Sequence, residues 1–465
     1  MKKVLLIAFY FNQKNEIASK RLRGLAKYLP QFGWEPIVIV PRMDNVSLYK
    51  NHDYNLKVIE TDYEDMVDKW LKKFKNTDKP YANRYDKNTN NNENENKNKN
   101  NNENNNKNNN KNDNKNDNKN VENNITNNKI ISKAISIVGE VFAYPDGMKY
   151  WYEGAMEVSK EAIEVNNIQA VISSSWPVTS HIIAKDLTIE YNLKWIADLR
   201  DLWNMNPYVN HTFIRNYFEK RLEIETLKYA DVLTTTTDLA RHTLQKLHPK
   251  KRICTVMSGY DVEDLTENNT PQDIGKLSFI YAGSLYGGKR DPDLLFNGIK
   301  ELINEKKVDP LILQLDFYGD TVKLEKKAKK YEIEEIVNIH GKIPHDKVLE
   351  KQKKSQCLLL LSWNNEKEKM FLPGKIYEYL AAKRPVLSIG YKEGSLKSLI
   401  EKTNIGYHVS TLEETKEGIM ALYNDFIKNK SLTYHGNANV NSYSILATAQ
   451  KFGKILDSLE KNENP

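Results

Sequence analysis

Short apolar runs of strand length recur along this chain with helix-length segments between them, and few folds accept that alternation. Residues 4–10 (VLLIAFY) and 35–40 (EPIVIV) read as strands, with a helix over 18–29 between them. The runs lack the polar alternation of a half-exposed strand, so they belong in a parallel sheet covered by helices on both faces. Further strands are predicted over 170–173, 194–197, 230–237, 279–282, 311–319, 336–341, 357–362 and 385–390. Helices are predicted over 130–142, 151–165, 178–187, 215–229, 238–247, 376–382, 415–427 and 445–459. At 465 residues the chain exceeds one typical core. The expected class is α/β with two Rossmann-like domains, over 1–262 and 276–430, followed by a last helical segment over 440–460. Residues 88–128 are almost entirely Asn, Lys, Glu and Asp. Such a tract buries too little apolar surface to offset its ordering entropy, so a disordered insertion is expected there.

The net charge of +7 is modest for this length and argues against a nucleic-acid binder. Two cysteines, Cys254 and Cys357, lie in apolar surroundings (ICTVM and CLLLL) and read as reduced buried thiols of a cytoplasmic protein. Their number and the nine scattered histidines suggest no metal cluster. The opening MKKVLLIAFYF reads as a first strand rather than a signal peptide, because no small-residue cleavage site follows it. No run approaches bilayer-spanning length. The first helix carries Lys20, Arg21, Arg23 and Lys27 beside Leu22, Leu25 and Leu29. That pattern fits either the solvated face of a core helix or a basic face resting on acidic lipid, which would make the protein peripheral at the inner membrane surface.

Three stretches carry candidate chemistry. In KMFLPGKIYEYLAAKRPVLSIG, Pro373 and Gly374 break the chain before a short helix. The unpaired N–H groups at its start, with Lys375, suit a phosphate, and Glu378 one turn on suits a ribose diol. The same pattern also fits an ordinary β-α-β crossover. In LSFIYAGSLYGGKRDP, Gly283, Gly287 and Gly288 let backbone approach a ligand, and Lys289 and Arg290 follow. Two fixed cations there would stabilise the charge that grows on a departing diphosphate. In ADLRDLW, Asp198, Arg200 and Asp201 crowd a strand end, where they either brace the loop by mutual pairing or face a cleft. His181, after SSSWPVTSH, reads as a helix-packing side chain or a cleft side chain.

PGKIYEYLAAKRPVL resembles the nucleotide-sugar segment of the retaining glycosyltransferases of family 4, whose GT-B fold implies two Rossmann-like domains facing a central cleft and a final helix, here over 440–460, that returns to the first domain. The likeness runs in order through the Gly283–Arg290 turn and SGYD at 258–261. Where the family carries a Glu separated by seven residues from its second Glu, here Glu378, this chain has Met370, and Ser284 stands where the family often has Arg. The resemblance implies transfer of a hexosyl-type sugar, with retention, from a nucleoside diphosphate sugar to a hydroxyl of a glycan or lipid-linked saccharide, as in polysaccharide biosynthesis. It implies donor contacts from Gly283, Lys289, Arg290, Gly341, Gly374, Lys375 and Glu378, with main chain from Gly341 onward meeting the base. It implies a catalytic surface of Asp198, Arg200, Asp201 and Arg290, same-face attack with the leaving phosphate as base, and no metal or cofactor beyond the co-substrate. A nucleotide-sugar epimerase of the same fold and a non-catalytic nucleotide-sugar-binding protein are the alternatives.

Overall fold

The computed structural model describes residues 1–13, 17–43, 56–64, 144–206, 211–265, 275–320 and 323–461. The expected insertion over 88–128 and helix over 130–142 lie outside the described residues. The chain builds two parallel sheets. The first comprises β1 (Lys2–Ile7), β2 (Trp34–Pro41), β3 (Lys57–Thr61), β4 (Ala170–Ser174), β5 (Lys194–Leu199), β6 (Val232–Thr235) and β7 (Arg252–Thr255), in the order β3-β2-β1-β4-β5-β6-β7. The second comprises β8 (Leu277–Ala282), β9 (Leu313–Tyr318), β10 (Val337–Gly341), β11 (Cys357–Leu361), β12 (Val386–Ile389) and β13 (Gly406–Val409), in the order β10-β9-β8-β11-β12-β13.

In each sheet the strand order reverses at the centre, between β1 and β4 and between β8 and β11. At such a switch point the loops leaving the carboxyl ends diverge and open a crevice. The crevice loops here are 8–13 and 175–178 in the first sheet and 283–292 and 362–374 in the second, and they include the glycine turn and the Pro373–Gly374 break. The central strands are buried on both faces, as continuous apolar runs require: β4, β8 and β11 expose no residue. The edge strands β3 and β10 are mostly half-exposed and more polar, so β3 carries no apolar signal in the sequence.

The helices are α1 (Ile17–Tyr28), α2 (Tyr152–Asn166), α3 (Thr179–Tyr191), α4 (Phe213–Leu227), α5 (Asp238–Leu247), α6 (Asp293–Asn304), α7 (Leu324–Lys330), α8 (His345–Lys354), α9 (Lys375–Ala382), α10 (Ser395–Thr403), α11 (Leu412–Asn429) and α12 (Ile445–Glu460). Residues of α12, among them Ala449, Phe452 and Leu456, pack with Leu22 and Leu25 of α1 and Val4 and Leu6 of β1 in one core. The two helices meet closely at Gly24, where an added Cβ would stand 2.1 Å from Ile445 Cγ2. No helix among the described residues is long and apolar enough to cross a membrane. Cys357 is buried, and Cys254 is half-buried; both are free thiols.

The basic residues of α1 do not form a lipid-facing surface. Arg21 is buried against Asp198, Lys20 reaches Glu378 across the cleft, Lys27 pairs with Asp261 at 2.9 Å, and Arg23 donates to the carbonyls of Phe11 and Gln13. Four cations in eight residues read as a surface from sequence, but each is taken up by acceptors brought from elsewhere in the fold.

Candidate active site

Helix α9 orients the second half of the site. Ile376, Tyr379 and Leu380 are buried, and the Tyr379 hydroxyl donates to the Leu359 carbonyl of β11 at 3.0 Å. That anchoring fixes the helix rotation, and Lys375 and Glu378, three residues apart, project from one side of it. The Lys375 ammonium passes over Gly283: a Cβ at position 283 would lie 1.7 Å from Nζ, and the backbone there has φ +150°. Glycine at 283 therefore serves both a left-handed backbone and the path of the lysine.

Lys375 also lies over the Tyr281 ring, 4.7 Å from its centroid. Burial, and then the neighbouring Arg290, pull its pKa down to about 7, while Glu378 opposes the fall. Arg290 stacks on the Tyr286 ring at 4.1 Å, and Lys289 stands over the Trp363 ring at 4.7 Å. The Tyr281 hydroxyl donates to the Ser284 carbonyl at 2.7 Å; burial pushes its pKa up to about 12 against the pull of Arg290. Gly283, Arg290 and Lys375 thus gather at the β8–β11 switch point, with Lys289 alongside. Two crowded cations with one ammonium half-deprotonated near neutral pH form a site that gains from an anion.

Glu378 opens onto a cleft of about 630 Å³ lined by both halves of the chain, including Lys20, Arg21, Arg200 and Asp201 from the first and Gly374, Tyr377 and Glu378 from the second. Its Oε1 accepts from Lys20 Nζ at 2.9 Å and lies 3.4 Å from His345 Nε2. Gly341 ends β10, two strands over from β8, with φ +69° and its carbonyl accepting from the Gly319 N–H at 2.7 Å. It shares the carboxyl edge of the sheet, and Gly319 stands between it and Gly283: a Cβ at Gly319 would lie 2.5 Å from the Gly283 carbonyl oxygen.

In the first half the three charges of ADLRDLW part company. Asp198 has no exposed surface. Arg21 grips it through Nε at 2.9 Å and Nη2 at 2.8 Å, and Ser174 and Thr234 hydroxyls donate at 2.9 and 2.7 Å. Burial works against its charge, but Arg21 and these hydrogen bonds outweigh it and hold the carboxyl below the usual range. Its acceptors are saturated, so the expectation that Asp198 touches an acceptor is corrected: it is a buried brace between α1 and β5. Arg200 and Asp201 do line the cleft; Arg200 Nε donates to the Ser175 carbonyl at 2.6 Å and lies 3.7 Å from Asp201. The expected mutual pairing of the trio is therefore limited to those two. His181 is fully buried, bonded to Ser173 Oγ at 2.7 Å, and burial lowers its pKa to about 4. It packs a helix and does not reach the cleft.

Met370 lies against the core of the first half, and its carbonyl accepts from Thr237 Oγ1 at 2.7 Å. The nearby Glu368 is buried, within 3.3 Å of the Ser362 hydroxyl. Sequence reasoning missed Lys20, Arg21 and His345 as site neighbours. Arg21 left one trace: it sits in the buried stripe of α1, one turn before Leu25, where a cation needs an internal partner.

No family model matches the chain, and no curated protein matches it in sequence. Solved structures do match in fold over the whole length. Sucrose-phosphate synthase from Thermosynechococcus elongatus superposes with a TM-score of 0.63 at 13% identity, covering 100% of each chain. A glycosyltransferase from Rickettsia africae gives 0.56 at 13% identity over 99% of each chain. The Anabaena protein HepE, solved in complex with UDP and glucose, gives 0.54 at 10% identity over 98% of this chain and 100% of that one. The fold is GT-B: two Rossmann-like sheets across a cleft.

Proposed function

We propose that the protein is a glycosyltransferase of the retaining family 4 type, moving a hexosyl-type sugar from a nucleoside diphosphate sugar to a hydroxyl of a glycan or lipid-linked saccharide. One observation carries this reading: Lys375 and Arg290 meet over Gly283 at a topological switch point, with Glu378 one helical turn away on the same side. A diphosphate seated at the start of α9 would take charge-assisted hydrogen bonds from both cations, and the ribose diol would donate to Glu378. HepE, of the same fold, is solved with UDP-glucose, so uridine diphosphate sugars are the first donors to test.

The residues derive the chemistry in order. Ribose binding displaces Lys20 from Glu378 and leaves that ammonium free to turn toward the phosphates. As the bond from the anomeric carbon to the phosphate oxygen breaks, charge accumulates on the diphosphate, where Arg290 and Lys375 stabilise it more than they stabilise the bound donor. The acceptor hydroxyl forms the new bond on the same face, and its proton passes to the departing phosphate oxygen. Arg200 and Asp201, on the opposite wall, hold that hydroxyl. Met370, in the position of the first family Glu, packs against the core of the first half, so this chain offers the donor sugar no carboxylate at that position.

The test is UDP release from a panel of uridine diphosphate sugars, with and without saccharide acceptors, with products identified by mass spectrometry. Transfer in the wild type and its loss in Glu378→Ala support the reading; a fully active Glu378→Ala variant refutes the site. An epimer formed from donor alone would instead identify an epimerase, and donor binding with neither outcome a binding protein.

A further inference from the structure

The first three turns of helix α4 are built inside out. Their buried face is polar, with Arg215, Glu219 and Glu223 buried, and apolar packing is confined to Leu222 and Leu227 toward the helix end. Arg215 Nε donates to Glu219 at 2.7 Å, Trp203 Nε1 donates to Glu219 at 2.6 Å, the Asn204 N–H donates to Glu223 at 3.2 Å, and Arg215 Nη2 donates to the Pro145 carbonyl at 2.8 Å. The outward face is apolar. Phe213 is 87% exposed, Ile214 69%, Tyr217 59% and Phe218 50%. A surface helix ordinarily does the reverse, because burying the apolar stripe is what holds it to the core. Here the polar network, with Leu222 and Leu227 near the helix end, does the holding, and four large apolar side chains in two turns are left to water, a cluster that a soluble surface rarely carries.

The cations of the helix complete the pattern. Arg221 follows Tyr217 by one turn on the same stripe, with Lys220 beside it, and both are exposed. The exposed acid of the helix, Glu225, is neutralised by Lys228 at 2.5 Å. An apolar layer beneath an anionic one meets both halves of the stripe. Position agrees. In a parallel α/β sheet the helix start lies at the carboxyl edge of the strands. The apolar turns of α4 therefore lie on the cleft side, where β5 delivers Arg200 and Asp201.

We propose that α4 is an interfacial helix that docks the protein on an anionic lipid surface, with Phe213, Ile214, Tyr217 and Phe218 entering the acyl boundary and Lys220 and Arg221 resting among the headgroups. This surface is independent of the donor site, and it takes the place of α1, whose cations are turned inward.

The experiment is sedimentation of the full chain with vesicles of phosphatidylcholine, with and without phosphatidylglycerol. The expected result is binding to the anionic vesicles that weakens roughly tenfold or more in high salt or without phosphatidylglycerol. The double substitution Phe213→Ser, Phe218→Ser abolishes it at an unchanged melting temperature, since neither side chain packs in the core. Lys220→Glu with Arg221→Glu removes the preference for anionic lipid. No sedimentation with either vesicle, or binding unaltered by the Ser pair, overturns the proposal. So does a concentration-dependent dimer in ultracentrifugation that the Ser pair dissociates while vesicles capture nothing, which would make a second copy the occupant.

Discussion

At the scale of single residues, the site divides into charges that serve a ligand and charges that serve the fold. On the proposed reading, Glu378 belongs to the first group. Replacing it with Ala removes charge-assisted hydrogen bonds to the ribose diol of about 1.5–3 kcal/mol, roughly ten- to a hundredfold in donor affinity. Isothermal titration with UDP reads this directly. Lys375 gives a pH signature. Its pKa near 7 means the free protein loses that charge as pH rises through neutrality, while a bound diphosphate favours the ammonium. UDP binding should take up a proton and weaken progressively above pH 7, and Lys375→Arg, which stays charged, should flatten the profile. An unchanged profile in that variant would remove Lys375 from the phosphate seat. Asp198 belongs to the second group. Asp198→Asn leaves Arg21 buried without its counter-charge and should cost about 3–5 kcal/mol in urea unfolding. Because its folded pKa is depressed, the pair's contribution is present at neutral pH and is lost only as pH falls below the ordinary carboxylate range. The turn that carries Gly283 and Arg290 and the helix start that carries Lys375 and Glu378 were each legible in the sequence, because turn, helix start and charge are local features. The role of Asp198 was not, since its partner stands 177 positions away.

At the scale of elements, the apolar periodicity decides what is strand and helix, and close contacts decide how they sit. The α1–α12 contact rests on Gly24, where even one methyl meets Ile445. Gly24→Val should therefore force the helices apart at about 1–3 kcal/mol or more. Phe452→Ala in α12 should cost about 3–5 kcal/mol although it lies at the far end of the chain from β1. Chemical denaturation followed by tryptophan fluorescence checks both, since Trp34 shares this core. β3 escaped notice because an edge strand has no continuous apolar run. The final helix was legible, and so was the glycine turn. The polarity of α4 was not: its sequence is amphipathic, but which face turns inward depends on Trp203, Asn204, His248 and Pro145, brought by other elements.

At the scale of the whole molecule, the two sheets face each other across a cleft that Lys20–Glu378 and Thr237–Met370 bridge. A ligand that binds only the native form raises its stability by about 2.7 kcal/mol at a hundred times its dissociation constant. UDP at that excess should lift the melting temperature by a few degrees, and the lift should vanish in Glu378→Ala. The sequence by itself determined the α/β class, the strands and helices of both sheets, and the glycine turn and helix start that carry the candidate site, because strand burial, helix starts and glycine turns follow from neighbours within a few residues. Only the tertiary structure decided which charges are spent on the fold. Arg21 and Asp198 became a buried brace, Lys20 crossed the cleft to Glu378, and α4 turned its apolar face outward, because each outcome depends on partners that the chain brings together only when both sheets are formed.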